Sequence, residues 1–349
     1  MKKIHVLISG SGSLYGVAII QSLLKSDLAL KLVACDINPR TLGLHLAHRG
    51  YLVPPVQQED QYLKQLLTII EKENINAVFV ASSKEIDFFS NHRAQIEEAT
   101  GARVFVNSPA VLEICCDKWH TVNFLKEQGF YFPRTLCYPA DREQIDVFIK
   151  DVGFPLIIKP RRGAGSQGLY TANNVNELNC LTSGKTDIIL QQYLPGELGE
   201  FTTGICTGAK GNVLCGITLK RYLQDGMTIA ADLEDFSEIT DYCKQVARVL
   251  KPYGPCNFQS RLLEGKPYIF EINPRFSSST GMRSLLGVNE AEILLRAEIL
   301  GQKITEPPIL KCSVIRQYTD YLVSADQIQL LEKENFCINP PNSSGDGSR

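Results

Sequence analysis

The sequence lacks the features that mark a nucleic-acid-binding or membrane protein. It has no long basic run, and its formal net charge is -2, so it offers no electrostatic footprint for a nucleic acid or an anionic membrane. No apolar stretch approaches the roughly 20 residues that a membrane-spanning helix needs. The early apolar run Ile4–Ile8 is too short for a secretory signal. These absences predict a cytoplasmic protein with no nucleic-acid partner and no membrane partner.

Metal-binding and disulfide patterns are also missing. The five histidines form no zinc-binding spacing, and the 11 cysteines include no C-x-x-C pair. A zinc site is therefore not expected. In a long chain without a secretory signal, the thiols are interpreted as reduced and mostly buried.

The first hundred residues of the 349 alternate buried strands with helices. Ile4–Ile8 and Leu30–Cys35 are continuous apolar runs typical of buried parallel strands, and Glu59–Lys72 carries its apolar residues on one helical face. This pattern predicts a small doubly wound α/β domain. Beyond Gly129 the pattern changes to antiparallel strands, with a hairpin turning at 264–266.

A glycine-rich loop after a buried strand suggests phosphate binding. Strand Phe154–Lys159 brings a lysine to its end, and Gly163, Gly165, Ser166 and Gly168 follow. The N–H groups of such a loop can surround phosphate oxygens, and the lysine adds charge-assisted hydrogen bonds. A plain surface loop is the alternative that this stretch alone leaves open.

Oxygen donors gather on the predicted C-terminal hairpin. Glu271 and Asn273 lie two residues apart and so point to one side of a strand, with Gln259 on the opposite strand. Such donors suit Mg2+. Arg275, just beyond them, could stabilise a transferring phosphoryl group. The alternative is a solvated strand face.

Two further segments imitate known nucleotide-binding motifs only in part. Ser183–Thr186 looks like the end of a P-loop, but Asn179 stands where a glycine is required, so a helix C-terminal turn is favoured. Gly10–Gly16, with Asp36 ending the next strand, imitates a dinucleotide fingerprint with the wrong spacing. An NAD-dependent oxidoreductase stays open as an alternative.

In this order along the chain, the motifs resemble the ATP-grasp superfamily, nearest its carbamoyl phosphate synthetase large-subunit-like branch, over roughly residues 1–325. Asp117-Lys118 is similar to the family's first nucleotide lysine, and Lys159 to its second. The stretch from Gln191 to Phe201 is similar to the hinge that holds adenine and ribose. Gln259, Glu271, Asn273 and Arg275 are similar to the metal ligands and the following arginine.

The resemblance implies an α/β and α+β fold, with a doubly wound pre-ATP-grasp domain followed by a two-subdomain ATP-grasp fold. The implied segments are a Rossmann-like domain at 1–110, a central lid subdomain at 111–190, a C-terminal catalytic subdomain at 191–325 and a partly disordered tail at 326–349. The implied ATP-binding residues are Lys118, Lys159, Gly163, Gly165, Ser166, Gly168, Gln192, Leu194 and Glu200. Solvated or purely structural roles remain open for Lys118, Gln192 and Glu200.

The activity implied is that of a ligase that uses ATP and Mg2+ (or Mn2+). A substrate carboxylate would take the γ-phosphate to form an acyl phosphate, with Arg275 and Lys159 as catalytic residues, and an amine would then displace phosphate. Arg283, or Lys220-Arg221 with Thr228 on the following loop, are candidates for carboxylate recognition; solvated charges are the alternative.

The chain also departs from its named relatives. Carbamoyl phosphate synthetase has two ATP-grasp units and a further arginine soon after Asn-Pro-Arg, whereas this chain has one unit and continues with Ser277–Gly281. A carboxylating or phosphorylating enzyme and a nucleotide-binding protein without turnover remain alternatives. Dimers are frequent among ATP-grasp relatives, so a homodimer is one oligomeric state open to the chain.

Overall fold

The computed structural model describes residues 3–163, 165, 167–197, 199–306 and 311–339. Its strands are β1 (Ile4–Ser9), β2 (Leu30–Asp36), β3 (Arg49–Leu52), β4 (Ala77–Val80), β5 (Arg103–Phe105), β6 (Thr135–Tyr138), β7 (Leu156–Pro160), β8 (Tyr170–Ala172), β9 (Ile188–Gln192), β10 (Glu200–Thr207), β11 (Val213–Gln224), β12 (Met227–Leu233), β13 (Gly254–Leu263), β14 (Lys266–Asn273), β15 (Cys312–Ile315) and β16 (Phe336–Ile338). Its α-helices are α1 (Leu14–Leu24), α2 (Leu42–Leu46), α3 (Glu59–Glu73), α4 (Ile86–Thr100), α5 (Pro109–Cys115), α6 (Lys118–Glu127), α7 (Ile145–Val152), α8 (Val175–Thr182), α9 (Ser237–Leu250), α10 (Thr280–Leu285), α11 (Glu290–Leu294) and α12 (Ala325–Glu334). A 3-10 turn (Arg142–Gln144) precedes α7, and a π-helical turn (Leu295–Ile299) extends α11.

The N-terminal domain is the predicted doubly wound sheet. Strands β3, β2, β1, β4 and β5 are parallel in this spatial order. The predicted helix at 59–72 is α3, and Tyr62, Leu66, Ile69 and Ile70 are its buried face. The fold class expected from the sequence is confirmed.

The C-terminal segment is part of this domain, so the expected tail at 326–349 is wrong for residues 326–339. Helix α12 buries Leu331 in the core, and β16 pairs antiparallel with the β3 edge. The Asn339 side chain donates hydrogen bonds to the carbonyl oxygens of Leu44 and Ala47, at 2.8 and 2.6 Å. Apolar residues such as Leu331 and Cys337 hold this stretch on the sheet. Residues 340–349 lie outside the described residues.

Two antiparallel sheets follow. A four-stranded sheet, in the order β6-β9-β7-β8, packs against α7 and α8. A six-stranded sheet, in the order β14-β13-β10-β11-β12-β15, carries α9 on one face. Helix α8 ends at Thr182, and Gly184 adopts a positive φ of 67°, so Ser183–Thr186 is the predicted helix C-terminal turn and not a P-loop.

The N-terminal domain packs directly on the six-stranded sheet's helices. Helix α1 lies against α10, and the Asn289 side chain donates a hydrogen bond to the Ser22 carbonyl oxygen at 2.8 Å. Phe79 of β4 meets Phe276 edge to face, with ring centroids 5.6 Å apart. No helix among the described residues is both long and apolar enough to cross a membrane.

The role of the C-terminal segment can be tested with adjacent leucines of α12. Leu331 is fully buried, whereas Leu330 is 49% exposed. We expect Leu331→Ala to lower the free energy of unfolding by roughly 2–5 kcal/mol, because it empties a packed core position. Leu330→Ala is the matched control and should change stability by less than about 0.5 kcal/mol. Urea unfolding followed by circular dichroism measures both, and equal effects would contradict the packing described.

Candidate active site between the two antiparallel sheets

A cavity of about 370 Å³ separates the four-stranded sheet from the six-stranded sheet. Its walls contain many of the residues predicted to bind nucleotide or metal, namely Lys118, Lys159, Gly163, Gly165, Gln192, Leu194, Glu200, Gln259 and Glu271. It also contains Arg162, Gln191, Tyr193, Arg221, Arg261 and Phe270. The volume is typical of a small-molecule site.

Asp117 brings Lys118 to this cavity. Its carboxylate caps α6 by accepting the Trp119 N–H at 2.9 Å, and it also accepts two hydrogen bonds from the Arg161 guanidinium, at 3.2 and 2.7 Å. Arg161 directly follows β7, so this bidentate pair ties the start of α6 to the strand that carries Lys159. Burial would raise the pKa of Asp117, but the Arg161 contact outweighs it and lowers that pKa.

Lys159 is the buried cation of the site. It lies on β7 with 6% of its surface exposed, and its Nζ is 5.5 Å from the centre of the Phe270 ring. Burial lowers the pKa of Lys159 to about 8, although the Glu271 carboxylate opposes the shift. The lowered pKa shows that the buried ammonium has lost hydration, and an entering anion would compensate for that loss.

The described residues of the glycine-rich loop contribute to one wall of the cavity. The Gly163 carbonyl oxygen accepts a hydrogen bond from Lys118 Nζ at 3.1 Å. Gly163 and Gly165 have positive φ angles of 126° and 70° and line the wall, conformations that favour glycine. Gly168 lies behind them, where an added Cβ would come within 3.0 Å of the Pro160 ring. The predicted Ser166 lies outside the described residues.

Residues of the predicted hinge form hydrogen bonds with other residues of the protein. Gln192 Oε1 accepts the Arg134 N–H at 3.1 Å, which is the structural role left open by the sequence. The Leu194 carbonyl oxygen accepts a hydrogen bond from Arg261 at 2.7 Å. Both residues still line the cavity, and their contact with an adenine ring stays a prediction.

Glu200 lies between two arginines of neighbouring strands. It is the cross-strand partner of Arg221 on β11 and of Arg261 on β13. Each of its oxygens accepts hydrogen bonds from one guanidinium. Burial would raise the pKa of Glu200, but the two positive charges outweigh burial and lower it. Because the lone pairs of Glu200 are already engaged, a ribose hydroxyl would have to compete with an arginine for this carboxylate.

Arg221 is therefore a cavity residue next to Glu200 and not part of a separate substrate loop. Its Nη2 also donates to Gln259 Oε1 at 2.8 Å. Arg261 was missed from the sequence, although strand alternation carries the signal, because it lies two residues after Gln259 and so shares its face.

Two of the three predicted metal ligands touch each other. Asn273 Nδ2 donates to Glu271 Oε1 at 3.1 Å, while the Gln259 carbonyl is turned to Arg221. A carboxylate beside an amide fits a hard cation that keeps waters and substrate oxygens as further ligands, once the Asn273 amide turns its oxygen inward. The side-chain oxygens of Gln259 and Asn273 each already accept a hydrogen bond from a guanidinium, that of Arg221 and that of Arg275, so both amides would have to give up that bond to bind a cation. The described residues contain no group of three or more His, Cys, Asp and Glu side chains that could hold a metal.

Arg275 is held in place from both domains. Its guanidinium donates to Asn273 Oδ1 at 2.9 Å and to the Phe276 carbonyl oxygen at 3.0 Å. The guanidinium carbon also lies 4.4 Å from the ring centre of Tyr15 on α1, within cation–π distance. The N-terminal domain thus contributes a side chain that contacts Arg275, which is hydrogen-bonded to Asn273 and is not itself among the described residues that line the cavity.

Arg283 and Thr228 do not reach the cavity, which corrects their prediction as substrate-binding residues. Arg283 is fully buried in an ion pair with Glu290 at 2.9 Å, with further hydrogen bonds to Asn257, Ser277 and Thr280. Thr228 is fully buried and belongs to strand β12. It does not lie on a loop, because β11 extends to Gln224 and the chain turns into β12 at Asp225-Gly226. That Asp-Gly pair is a hairpin signal present in the sequence.

The N-terminal glycine loop uses its acidic residue internally. Asp36 accepts the Gly12 N–H at 2.7 Å and the Asn38 N–H at 3.2 Å. A side chain at Gly12 would collide with Thr41. The carboxylate that a dinucleotide ribose would need is therefore committed to the loop's own backbone, which weighs against the NAD-dependent alternative.

Comparison with known proteins gives two family matches. Residues 185–320 match the model described as ATP-grasp in the biosynthetic pathway with Ter operon, and residues 6–105 match the model described as PylC-like, N-terminal domain. The chain is 24% identical over 290 residues to a carbamoyl phosphate synthase large chain from Saccharolobus islandicus, covering 78% of this chain and 26% of that protein. It therefore spans about a quarter of the length of such relatives.

Solved structures share the fold. N5-carboxyaminoimidazole synthetase from Staphylococcus aureus, complexed with ADP, has a TM-score of 0.70 at 16% identity, covering 95% of this chain and 86% of that one. The biotin carboxylase domain dimer of Hydrogenobacter thermophilus 2-oxoglutarate carboxylase, in complex with MgADP, ADP and bicarbonate, has a TM-score of 0.65 at 17% identity, covering 84% and 68%. The chain is thus similar to an ATP-grasp family over residues 185–320 and to PylC-like N-terminal domains over residues 6–105, and it shares the fold of these solved enzymes.

Proposed function

We propose that this protein is an ATP-dependent carboxylate–amine ligase that forms an amide or peptide bond through an acyl phosphate and releases ADP and phosphate. The observation that carries the proposal is the convergence of two lysines, two glycines of the glycine-rich loop and Glu271, which Asn273 contacts, on one cavity. Members of the superfamily with this fold are solved with ADP and with MgADP, which supports a nucleotide in that cavity.

The cavity's own residues would bind and orient the nucleotide. Lys118 and Lys159 provide positive charge where the polyphosphate would lie, and loop N–H groups add hydrogen bonds. The hinge residue Leu194 and the network around Glu200 line the same cavity and would hold the base and the sugar. A magnesium ion held by Glu271 and Asn273 supplies, when bound, charge neutralisation on the phosphate oxygens.

The chemistry then needs positioning more than a nucleophilic side chain. The substrate carboxylate attacks the γ-phosphorus, and the bond to the bridging oxygen breaks to release ADP. Arg275 and Lys159 stabilise the charge that spreads over the transferred oxygens. An amine next attacks the acyl carbon, and phosphate leaves with the carbonyl restored. Closure of the glycine loop over the cavity would exclude water, which otherwise hydrolyses the acyl phosphate.

A carboxylating reaction is the second candidate. It is favoured by the titles of two structural relatives, one a carboxyaminoimidazole synthetase and one a carboxylase domain with bicarbonate. Bicarbonate is also a carboxylate-like acceptor of phosphate, so both reactions share the cavity chemistry. An ADP-release assay that includes bicarbonate as one of the substrates distinguishes the carboxylating reaction from the ligase reaction.

The first test measures ADP release from Mg-ATP with pooled small carboxylates or bicarbonate, each with and without pooled amines. We expect release that requires a carboxylate, and Lys159→Ala should reduce it at least 100-fold, about 2.7 kcal/mol of transition-state stabilisation. Lys150→Ala, an exposed lysine of α7, is the matched control and should keep the parent rate.

Three outcomes contradict the ligase. AMP release would mean adenylate chemistry, bicarbonate alone sufficing would favour the carboxylating candidate, and an unchanged rate in Lys159→Ala would remove the nucleotide assignment.

The low pKa of Lys159 predicts how nucleotide affinity varies with pH. Without nucleotide the pKa of Lys159 is about 8, and a phosphate beside it would raise that pKa. Binding then takes up a proton above pH 8, so affinity should fall as pH rises, by up to about tenfold per pH unit. Calorimetric titration with ADP in EDTA measures this. Lys159→Arg keeps its charge and should flatten the profile, whereas a parent profile that is flat through pH 8 would count against the assignment.

The Tyr15–Arg275 contact predicts a link between the N-terminal domain and turnover. Tyr15→Leu removes the ring under the guanidinium and should lower kcat by roughly 3- to 30-fold, with little change in ADP affinity. Tyr15→Phe keeps the ring and is the matched control, expected near the parent rate. Equal losses in both variants would point to the Tyr15 hydroxyl instead of the cation–π contact.

A further inference from the structure

A second cleft, of about 450 Å³, lies between the N-terminal domain and the catalytic half of the chain. Helix α1 forms one wall and α10 another, and the segment at 314–321 forms the third. Its apolar lining includes Leu14, Val17, Met282, Leu285 and Tyr318. Several of these side chains are exposed, among them Leu285 and Tyr318, at 60% and 67%. The cleft is therefore open and largely apolar.

Arg316 places one strong cation in this cleft. Its backbone N–H donates to the Ile229 carbonyl oxygen at 2.7 Å, which holds it at the end of β15. Its Nη2 donates to the Ser278 carbonyl oxygen, and its Nη1 is buried with no hydrogen-bond partner among the described residues. Burial lowers the pKa of Arg316, and none of the ion pairs among the described residues includes it.

The charged residues that line the cleft, among those described, are all positive. Its described lining contains two cations, Lys25 and Arg316, and no Asp or Glu. A guanidinium that is partly removed from water and has no anionic partner is costly to keep. An entering carboxylate would supply the missing hydrogen-bond acceptor in the fork geometry that arginine favours.

The cleft adjoins the reaction centre through one short turn. Ser278, which anchors Arg316, is three residues after Arg275, a chain distance of at most about 11 Å. Gly281 continues the same turn into α10, where an added Cβ would lie 3.6 Å from the Ala18 side chain. A small molecule held at Arg316 would thus lie within one short turn of Arg275.

From this placement we infer that the α1–α10 cleft is a substrate subsite, in which Arg316 binds the carboxylate of a small acid whose apolar body packs against α1 and α10. The inference rests on the proposed ligase function for its role in the reaction. The binding of an acid to the cleft does not require nucleotide, so it can be measured separately.

The test uses the full chain and three probes, 3-phenylpropionate, N-acetylleucinate and indole-3-acetate, each paired with its neutral primary amide. Saturation-transfer NMR detects binding and calorimetry measures Kd. We expect at least one acid to bind about tenfold or more tightly than its amide, because charged hydrogen bonds are the stronger ones. Arg316→Gln should abolish that preference and Arg316→Lys should keep part of it. Arg248→Gln, an exposed arginine of α9, should behave as the parent.

Circular dichroism and ADP affinity show whether Arg316→Gln is folded, since that variant should bind ADP as the parent does. Failure of all three acids at millimolar concentration, equal binding of acid and amide, or a preference that survives Arg316→Gln would each overturn the inference. So would sedimentation showing a dimer that dissociates in Leu285→Glu and excludes the acids, because the cleft would then be a subunit contact. Loss of ADP binding in the parent would instead remove the ligase function and leave the acid subsite standing.

Discussion

The candidate site depends on the bidentate pair between Asp117 and Arg161. The pair joins the first turn of α6 to the end of β7, and those two elements carry the two lysines. The Asp117 side chain is 1% exposed, so its charge would be costly without a partner. Without Arg161, the buried Asp117 carboxylate would keep only Arg162, 3.5 Å away, whereas Arg161 itself is 23% exposed. The backbone N–H of Lys118 also donates to the Arg161 carbonyl oxygen at 2.9 Å, so the ion pair and this hydrogen bond together place the two lysines.

The cavity assembled in this way is ready for an anion. Its described lining holds five cations, Lys118, Lys159, Arg162, Arg221 and Arg261, against two carboxylates, Glu200 and Glu271. Glu200 is used to keep two of those arginines in register across three strands. Such an excess of positive charge, partly shielded from water, favours a polyphosphate over a neutral ligand. Burial is the main cause of the lowered pKa of Lys159, and the neighbouring cations Lys118 and Arg261 lower it further.

The two halves of the molecule meet where the reaction would occur. Tyr15 on α1 covers Arg275, and α1 also forms a wall of the cleft that contains Arg316. The buried Arg283–Glu290 pair supports the turn after Arg275 from below, through hydrogen bonds to Ser277 and Thr280. A substrate in that cleft would contact both the N-terminal domain and the catalytic turn. The role of the N-terminal domain would then be to contact Arg275 and to form one wall of the substrate cleft.

Local patterns in the sequence were enough to predict several of the elements and the order of the motifs. Apolar runs and a helical face predicted β1, β2 and α3, since the spacing of apolar residues shows which face of an element is buried. Alternation along β14 placed Glu271 and Asn273 on one side, as the structure has them. Only tertiary structure decided which charges meet. Arg221 pairs with Glu200, Arg283 is buried against Glu290, Arg316 faces the cleft and β16 completes the first sheet. These contacts join residues far apart in the chain, and the partner of a charge depends on the packing of whole elements, which spacing along one strand or helix does not encode.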